Sequence, residues 1–420
     1  MILHEEISDK YSEDDLIIRA SDAHRSHLHS REVNAEVASI AYGVVAECTF
    51  EQLPYFDTTT SFPPDVMHDI LEGVIPLLLR QLLLTLHSRQ IVSVQNINTE
   101  LDLFSFGQND KKGKPVKLSL KHLNAGTFPG TAIQKWCMFK FLPFLIGHFV
   151  PTEDEHWQHY LLFREIVDFV MSPVVKKSSL SHLQILIGEF LSEFNRLYPG
   201  NFIPKLHYLV HYPRLLAEFG PLRSLWCLRF EGKHQYFKWL ARNVCNFRNI
   251  CFTLAKRHQQ RQCWDFCCAD ALHQSYEQEG SCVVQLSSTS LKDIILEKCN
   301  IQASELEADE TILKVKKLTV DHVKYEVKDY FIVDVVHEDL PIFFKILHII
   351  QFRCTWILCG KLYFALEFNS HLHAFKIEAL HEWCTLTPGN EVDYHALDAY
   401  EDSDGCLYIA PHHTVYKVKK

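Results

Sequence analysis

No Cys-x-x-Cys pair occurs in this 420-residue chain, although it holds fourteen cysteines. That absence excludes the usual knuckle of a structural zinc site. The tightest cysteine group is Cys263, Cys267 and Cys268, on an expected helix, with no fourth ligand in view. Buried structural thiols are the better reading of it. The opening MILHEEISDKYSEDD is acidic and polar, unlike a signal peptide, so no secretory leader is expected and the thiols are expected to be reduced. No apolar run is long and uninterrupted. Ile75 to Leu86 carries Arg80, and Phe139 to Val150 is cut by Pro143 and His148. A soluble protein of the nucleus or cytoplasm, with no membrane partner, is expected. A working phosphate loop is also lacking, because Gly113-Lys114 follows Gly107 by one residue too many and Pro115 replaces the required Ser or Thr. His207 and His211 stand four apart, but Tyr208 occupies the place of the Glu in a zinc-protease helix, which favours a packed, hydrogen-bonded histidine pair.

What is present is an ordinary globular composition, 47% hydrophobic and 22% charged, on a chain long enough for two or three domains. Residues 1–60 are weakly patterned, with a short helix expected from Arg31 to Gly43. Pro63 and Pro64 favour extended backbone, and Asp65 fits the N-cap of an apolar helix carrying Val66, Ile70, Leu71, Val74, Leu77 and Leu78. Pro76 is expected to bend that helix or begin a second. Residues 90–221 read as helices, with a surface loop from Gln108 to Lys117, and another long helix begins near Phe230. The polar stretch 266–311 reads as a helix end and linker. From 312 to 420 the pattern changes to closely spaced β-rich runs, which predicts a small all-β barrel or sandwich.

Charge is distributed unevenly. The net charge is −10, yet from Arg223 to Arg261 nine Lys or Arg stand against the single acid Glu231. Such a strip suits a phosphate backbone, with Arg229, Lys233, His234, Lys238, Arg242, Arg248, Lys256 and Arg257 as candidate nucleic-acid contacts. Interleaved rings, Phe230, Tyr236, Phe237, Trp239, Phe247 and Phe252, are expected to lie mostly in the core.

Two carboxylates stand among groups suited to phosphate chemistry, Asp65 in FPPDVMHDILEG and Glu231 in WCLRFEGKHQYFK. Phosphodiester cleavage by two hard cations wants acids converging from separate elements. Taken singly, Asp65 also reads as a helix cap, and Glu231 as a solvated acid balancing its basic neighbours.

Together the strings resemble the CACTA, Mirage and Chapaev group of cut-and-paste DNA transposases. Pro63, Asp65, Met67, His68, Asp69, Glu72 and Gly73 match one family motif, and Trp226, Cys227, Arg229, Phe230, Glu231, Lys233 and His234 match another. PKLHYLVHYP (Pro204 to Pro213), FGPL (Phe219 to Leu222) and NFRNICFTLAKRHQ (Asn246 to Gln259) are similar to the family as well. The resemblance covers residues 50–265 well and the β-rich tail more loosely. It implies an α+β protein in which 61–89 and 222–265 belong to a partial RNase H-like core, split by the helical insertion 90–221. Asp65 and Glu231 would be its second and third catalytic acids and its Mg2+ or Mn2+ ligands. His68, one turn after Asp65, would orient the carboxylate or touch the scissile phosphate.

The family's first catalytic Asp, at the end of a strand, has no counterpart: none of Asp9, Asp14, Asp15, Asp22 and Asp57 follows a convincing strand. The chain is therefore expected to begin inside the catalytic domain and not to cut DNA by itself. The leading expectation is a transposon-derived protein, a relic or a domesticated gene product, that retains binding to DNA or to a protein partner or second copy. An active transposase whose N-terminal part lies outside this chain, and an interaction scaffold acting through the β domain, are the alternatives.

Overall fold

The structure, a computed structural model, describes residues 10–267, 276–307, 309–321, 323–336, 340–389, 395–402 and 404–415. The protein is α+β and divides into two compact units, one made of Met1–Phe104, Gly113–Leu228 and His412–Thr414, the other of Ser105–Lys112, Arg229–Pro411 and Val415–Lys420.

The first unit is helical, and among its described residues there is no strand. The helix expected from Arg31 to Gly43 is two helices, α1 (Ser21–Val33) and α2 (Ala35–Tyr42). They break at Asn34, whose side chain caps α2 by accepting from Val37 N–H. Gly43, at φ 69°, ends α2 in the left-handed conformation that glycine adopts without strain.

At the centre of the unit, a π-helix (Met67–Val74) runs directly into α3 (Ile75–Ser88). Pro76 stands in the first turn of α3, so a second helix begins there as expected; the expectation that Arg80 interrupts the apolar stretch is corrected. The whole forms a 22-residue helical segment, long and apolar enough by composition to cross a membrane. It is instead a core helix, with Ile70, Leu71, Val74, Ile75, Leu78 and Leu82 fully buried in the unit. The π spacing, with Ile75 N–H on Ile70 O, relieves the pressure that the proline ring would put on the carbonyl four residues earlier. Arg80 leaves the core by donating from Nε to Leu123 O at 2.5 Å.

Around that helix stand α4 (Val94–Leu103), the short α5 (Leu120–Asn124), α6 (Ala132–Ile146), α7 (Glu155–Val170) and α8 (Leu180–Leu197). Capping boxes begin α4 (Ser93, Asn96) and α6 (Thr131, Gln134), and Asp154 caps α7 by accepting from His156 and Trp157 N–H. The aromatic interior joins α6, α7 and α8: Phe163 stacks on Phe190 at 4.5 Å, and Tyr160 meets Phe139 edge-on at 5.2 Å. Such pairs add to the stabilisation from area burial. Two short helices, α9 (Pro204–Tyr208) and α10 (Tyr212–Phe219), close the unit beside the π-helix.

The second unit holds two long helices, α11 (Leu228–Val244, whose first residue belongs to the other unit) and α12 (Ile250–Cys267), and the β structure. An antiparallel sheet runs β10 (Tyr400–Glu401), β11 (Leu407–Ile409), β9 (Ala374–Leu386), β8 (Thr355–Asn369), β7 (Pro341–Phe352), β3 (Thr311–Val315) and β2 (Cys282–Gln285), with β6 (Tyr330–Val335) also on β7. A second sheet is formed by β1 (Tyr276–Glu279), β4 (Lys317–Val320) and β5 (Val323–Glu326). The long central strands are β7, β8 and β9. One edge of β7 pairs with β8; the other is shared between β6 and β3. Bulges at Ile346/His348, Lys361/Tyr363 and Ala365/Glu367 curl the sheet. Gly360 is required there, because a Cβ would lie 1.9 Å from Lys345 O. Leu318 and Val320 of β4 (Lys317–Val320) and Tyr325 of β5 (Val323–Glu326) share a core with Phe344, Ile346, Trp356 and Leu358.

Two boundaries differ from the sequence reading. The expected linker is folded from Tyr276 onward: β1 (Tyr276–Glu279), β2 (Cys282–Gln285) and α13 (Lys292–Cys299) belong to the β unit. Leu286, Leu291, Ile295 and Leu296 are buried there with Ile350 and Ile357, apolar anchors spaced too widely in a polar stretch to stand out. The expected surface loop at 108–117 is likewise anchored at its start. Gln108 and Asn109 donate side-chain bonds to the buried Asp329 at 2.5 and 2.9 Å, and Asn109 N–H donates to Asp398 at 2.9 Å. The last strands, β10 (Tyr400–Glu401) and β11 (Leu407–Ile409), extend the edge beside β9.

Candidate functional site

Three strings singled out in the sequence meet in the first unit. Asp65 precedes the π-helix, and its side chain accepts from Met67 and His68 N–H at 3.3 Å each, as the N-cap reading requires. Its Oδ1 also accepts from Cys227 N–H at 2.8 Å, and its Oδ2 contacts His68 Nδ1. Burial alone would push the Asp65 carboxyl up. The bonds from Cys227, His68 and Met67 outweigh it and hold the group below its ordinary value.

The PKLHYLVHYP string supplies the other wall. Lys205 Nζ donates to His68 O at 2.7 Å, running over Gly73, where an added Cβ would lie 2.4 Å from Lys205 Cδ. Tyr212 OH donates to Asp69 Oδ2 at 3.3 Å. Burial pushes the Asp69 carboxyl up to about 6, against the lowering effect of Tyr212 and Lys205. Lys135 Nζ lies 3.7 Å from Glu72 Oε1. Lys205, Tyr212 and the main chain of Cys227 were visible in the sequence only as parts of matching strings. Nothing local in them announced their contacts with the helix start.

His207 and His211 pack edge to face with centroids 5.2 Å apart, as expected, but the expected hydrogen bonding is not met at His207, whose buried Nδ1 has no hydrogen-bond partner among the described residues. His211 Nδ1 lies 2.6 Å from Glu13 Oε1, which also accepts from Arg214 Nε at 2.9 Å. Burial lowers the His207 pKa to about 4.

Glu231 stands exposed on α11, three residues past the boundary between the units, and is described with the second unit. So are the eight candidate nucleic-acid contacts. Arg229, Lys233, His234, Lys238 and Arg242 on α11, Arg248 in the turn, and Lys256 and Arg257 on α12 are all exposed. His234, Lys238 and Arg242 repeat every fourth position and so share one helical stripe. The two helices touch through Phe237 stacked on His258 at 5.4 Å and through the Arg261 guanidinium 5.8 Å from the Tyr236 ring.

The expectation that the interleaved rings are core is corrected. Phe230, Trp239, Phe247 and Phe252 are each more than 60% exposed, and Leu240 is the single buried residue described on α11 and α12. Cys263 and Cys267 are exposed rather than buried thiols, and Cys268 lies outside the described residues. Apolar residues in a helical pattern normally mark a core face, and the sequence alone does not reveal that these rings stand exposed.

Among the described residues, one mixed group has metal-ligand chemistry: Asp65, His68 and Cys227 place a carboxylate oxygen, an imidazole nitrogen and a thiol sulfur within 4.8 Å of one another. Against Mg2+ or Mn2+ this set fits poorly. Those ions favour oxygen donors, whereas two of these three are nitrogen and sulfur, and both Asp65 oxygens already accept protein hydrogen bonds.

No protein-family model, curated protein or solved structure matches the chain.

Proposed function

We propose that this is a transposon-derived protein, similar to a CACTA, Mirage and Chapaev transposase, that binds DNA through α11 and α12 and by itself does not cut it. One observation carries the reading. Asp65 of the FPPDVMHDILEG string and Cys227 of the WCLRFEGKHQYFK string, each matched to the family independently, are bonded to each other at 2.8 Å. Strings that resembled a family by chance would have no reason to meet.

On this reading, the buried helix after Asp65 and the start of α11 are the helical parts of an RNase H-like core, and the remaining helices of the first unit are its insertion. Asp65 and Glu231 occupy the places of the second and third acids, with His68 bonded to Asp65 as a supporting residue. On this reading the chain does not complete a hard-cation site, because Asp65 caps the helix and accepts from Cys227 and the family's first acid has no counterpart in it.

What remains is binding. The exposed lysines and arginines offer salt-sensitive contacts to a phosphate backbone. The exposed rings between them offer stacking surfaces to unpaired bases. The test is titration of the full chain with duplex and single-stranded oligonucleotides from 50 to 200 mM salt, alongside a nicking assay with Mg2+ and Mn2+. The expected result is binding that falls at least tenfold over that range, is weakened by Lys233→Glu with Lys238→Glu, and comes without nicking. Metal-dependent nicking by the purified chain would overturn the loss of chemistry. Failure to bind either nucleic acid at low salt would overturn the binding role and favour an interaction scaffold.

A further inference from the structure

We infer that Asp65, His68 and Cys227 form a binding site for a divalent transition-metal ion of the Zn2+ kind. This inference does not rest on the transposase-like reading. The three donor atoms lie within 4.8 Å of one another, the spread that ligands around one small ion require. Their chemistry selects the ion: imidazole and thiolate favour Zn2+ and its neighbours over Mg2+, and the carboxylate is accepted by both classes. Charge agrees as well. Carboxylate and thiolate together balance a divalent cation, and the imidazole binds neutral.

The surroundings resemble a supported metal site. Cys227 N–H and Met67 N–H hold Asp65 Oδ1 at 2.8 and 3.3 Å, so the carboxylate is oriented by main chain from both sides of the site. His68 sits on the first turn of a helix whose next turns are buried, and Lys205 fixes its main-chain carbonyl at 2.7 Å. Trp226, beside Cys227, is buried, with the Arg223 guanidinium 5.5 Å from its ring. The His68 side chain is 46% exposed, leaving a solvent-facing position for a fourth ligand, water or an incoming group.

Asp65 Oδ2 and His68 Nδ1 now share one hydrogen bond. An ion bound there takes the Nδ1 position of a neutral imidazole, whose proton then sits on Nε2, and the Cys227 thiol gives up its proton to solvent, so binding releases one proton. The consequence is a clamp. The ion would tie the start of the buried helix to the start of α11, reinforcing the link that the Cys227–Asp65 hydrogen bond makes.

The experiment is titration of the full chain with Co2+, which reports its ligands optically. One equivalent is expected to produce visible ligand-field bands and a near-ultraviolet thiolate-to-cobalt charge-transfer band. Zn2+ should abolish both, and excess Mg2+ should not. Cys227→Ser should remove the charge-transfer band, and His68→Ala should weaken Co2+ binding at least about tenfold. The variant Cys263→Ser with Cys267→Ser, which alters exposed thiols elsewhere, should keep the signal. Absence of a charge-transfer band in folded wild-type protein would overturn the site. So would a band that survives Cys227→Ser or disappears in the Cys263/Cys267 variant. Should Cys227→Ser fail to fold, His68→Ala decides, because its half-exposed ring is dispensable to the core; unchanged Co2+ affinity there overturns the proposal.

Discussion

Cys227 N–H donates to Asp65 Oδ1 at 2.8 Å, joining points 162 positions apart in the sequence. The same carboxylate caps the π-helix, so one side chain both begins the central helix and fastens it to the chain that enters α11. Removing it takes away a cap, worth about 1 kcal/mol, and leaves Cys227 N–H without its charged acceptor, a loss of about 1.5–3 kcal/mol. Asp65→Ala is therefore expected to destabilise the first unit by about 2–4 kcal/mol. Asp65→Asn should cost roughly half as much, since an amide oxygen still accepts from Cys227 and still caps. Urea unfolding followed by circular dichroism measures both; equal losses for the two variants would show that the acceptor is not what matters.

Histidines 159 and 207 predict acid sensitivity. His159 Nε2 lies 3.0 Å from Phe190 O, and its ring stacks on Phe190 at 4.6 Å. Burial lowers its pKa to about 4, and burial does the same to His207. The unfolded chain takes up these protons near pH 6.5, before the folded chain does. The stability they leave intact is thus complete above about pH 6.5 and declines as pH falls toward 4, by at most about 1.4 kcal/mol per pH unit for each group. Urea midpoints at pH 7 and pH 5 should differ for the wild type. The difference should shrink by more than half in His159→Gln, which keeps a donor for Phe190 O but does not titrate, because the raised Asp69 carboxyl, protonated near pH 6 in the folded chain, already opposes part of the histidine loss.

How much of this was legible depended on whether the information was local. Pro63-Pro64-Asp65 ahead of an apolar run announced a helix start, because proline and a capping carboxylate act within one turn. Residues 312–420 announced strands for the same reason, through closely spaced β-rich runs. Cys227 was legible only as a letter in a matching string: its role is played by a backbone N–H, which every residue but proline carries. The rings of α11 and of the turn after it misled for a different reason. Trp239 and Phe247 have core chemistry and helical spacing, and only the fold shows that neither is covered. Leu286, Leu291, Ile295 and Leu296 were hidden by the reverse error, since their polar neighbours set the average of the stretch.

Asn109 offers a test of the second unit alone. Asp329 is 1% exposed, and burial raises its pKa against the lowering effect of bonds from Asn109, Gln108 and Glu326 N–H. Asn109→Ala removes one of those donors and a contact to Asp398 besides, and is expected to cost about 1–3 kcal/mol. Gly107→Ala should be worse, because a Cβ there would lie 2.1 Å from Asp398 Cγ. Hydrogen exchange over residues 105–112 reads both, with protection lost further in Gly107→Ala. Unchanged exchange in either variant would show that the segment is held by something other than these two aspartates.

The exposed rings of α11 and of the turn between α11 and α12 allow stacking to be separated from charge. Trp239 and Phe247 are 61% and 66% exposed, so replacing both by Ala should change stability by no more than about 0.5 kcal/mol each. If unpaired bases stack on them, single-stranded DNA affinity should fall by about 1–3 kcal/mol per ring, while duplex affinity, carried by the neighbouring cations, should hardly move. Lys233→Glu with Lys238→Glu should do the opposite in part, weakening both forms and flattening the salt dependence. The two variants together therefore distinguish three uses of one surface. Loss confined to single strands identifies base stacking, and equal loss in both forms leaves the rings a structural part. Unchanged nucleic-acid binding, with a gain in solubility, means that these rings evolved against another protein.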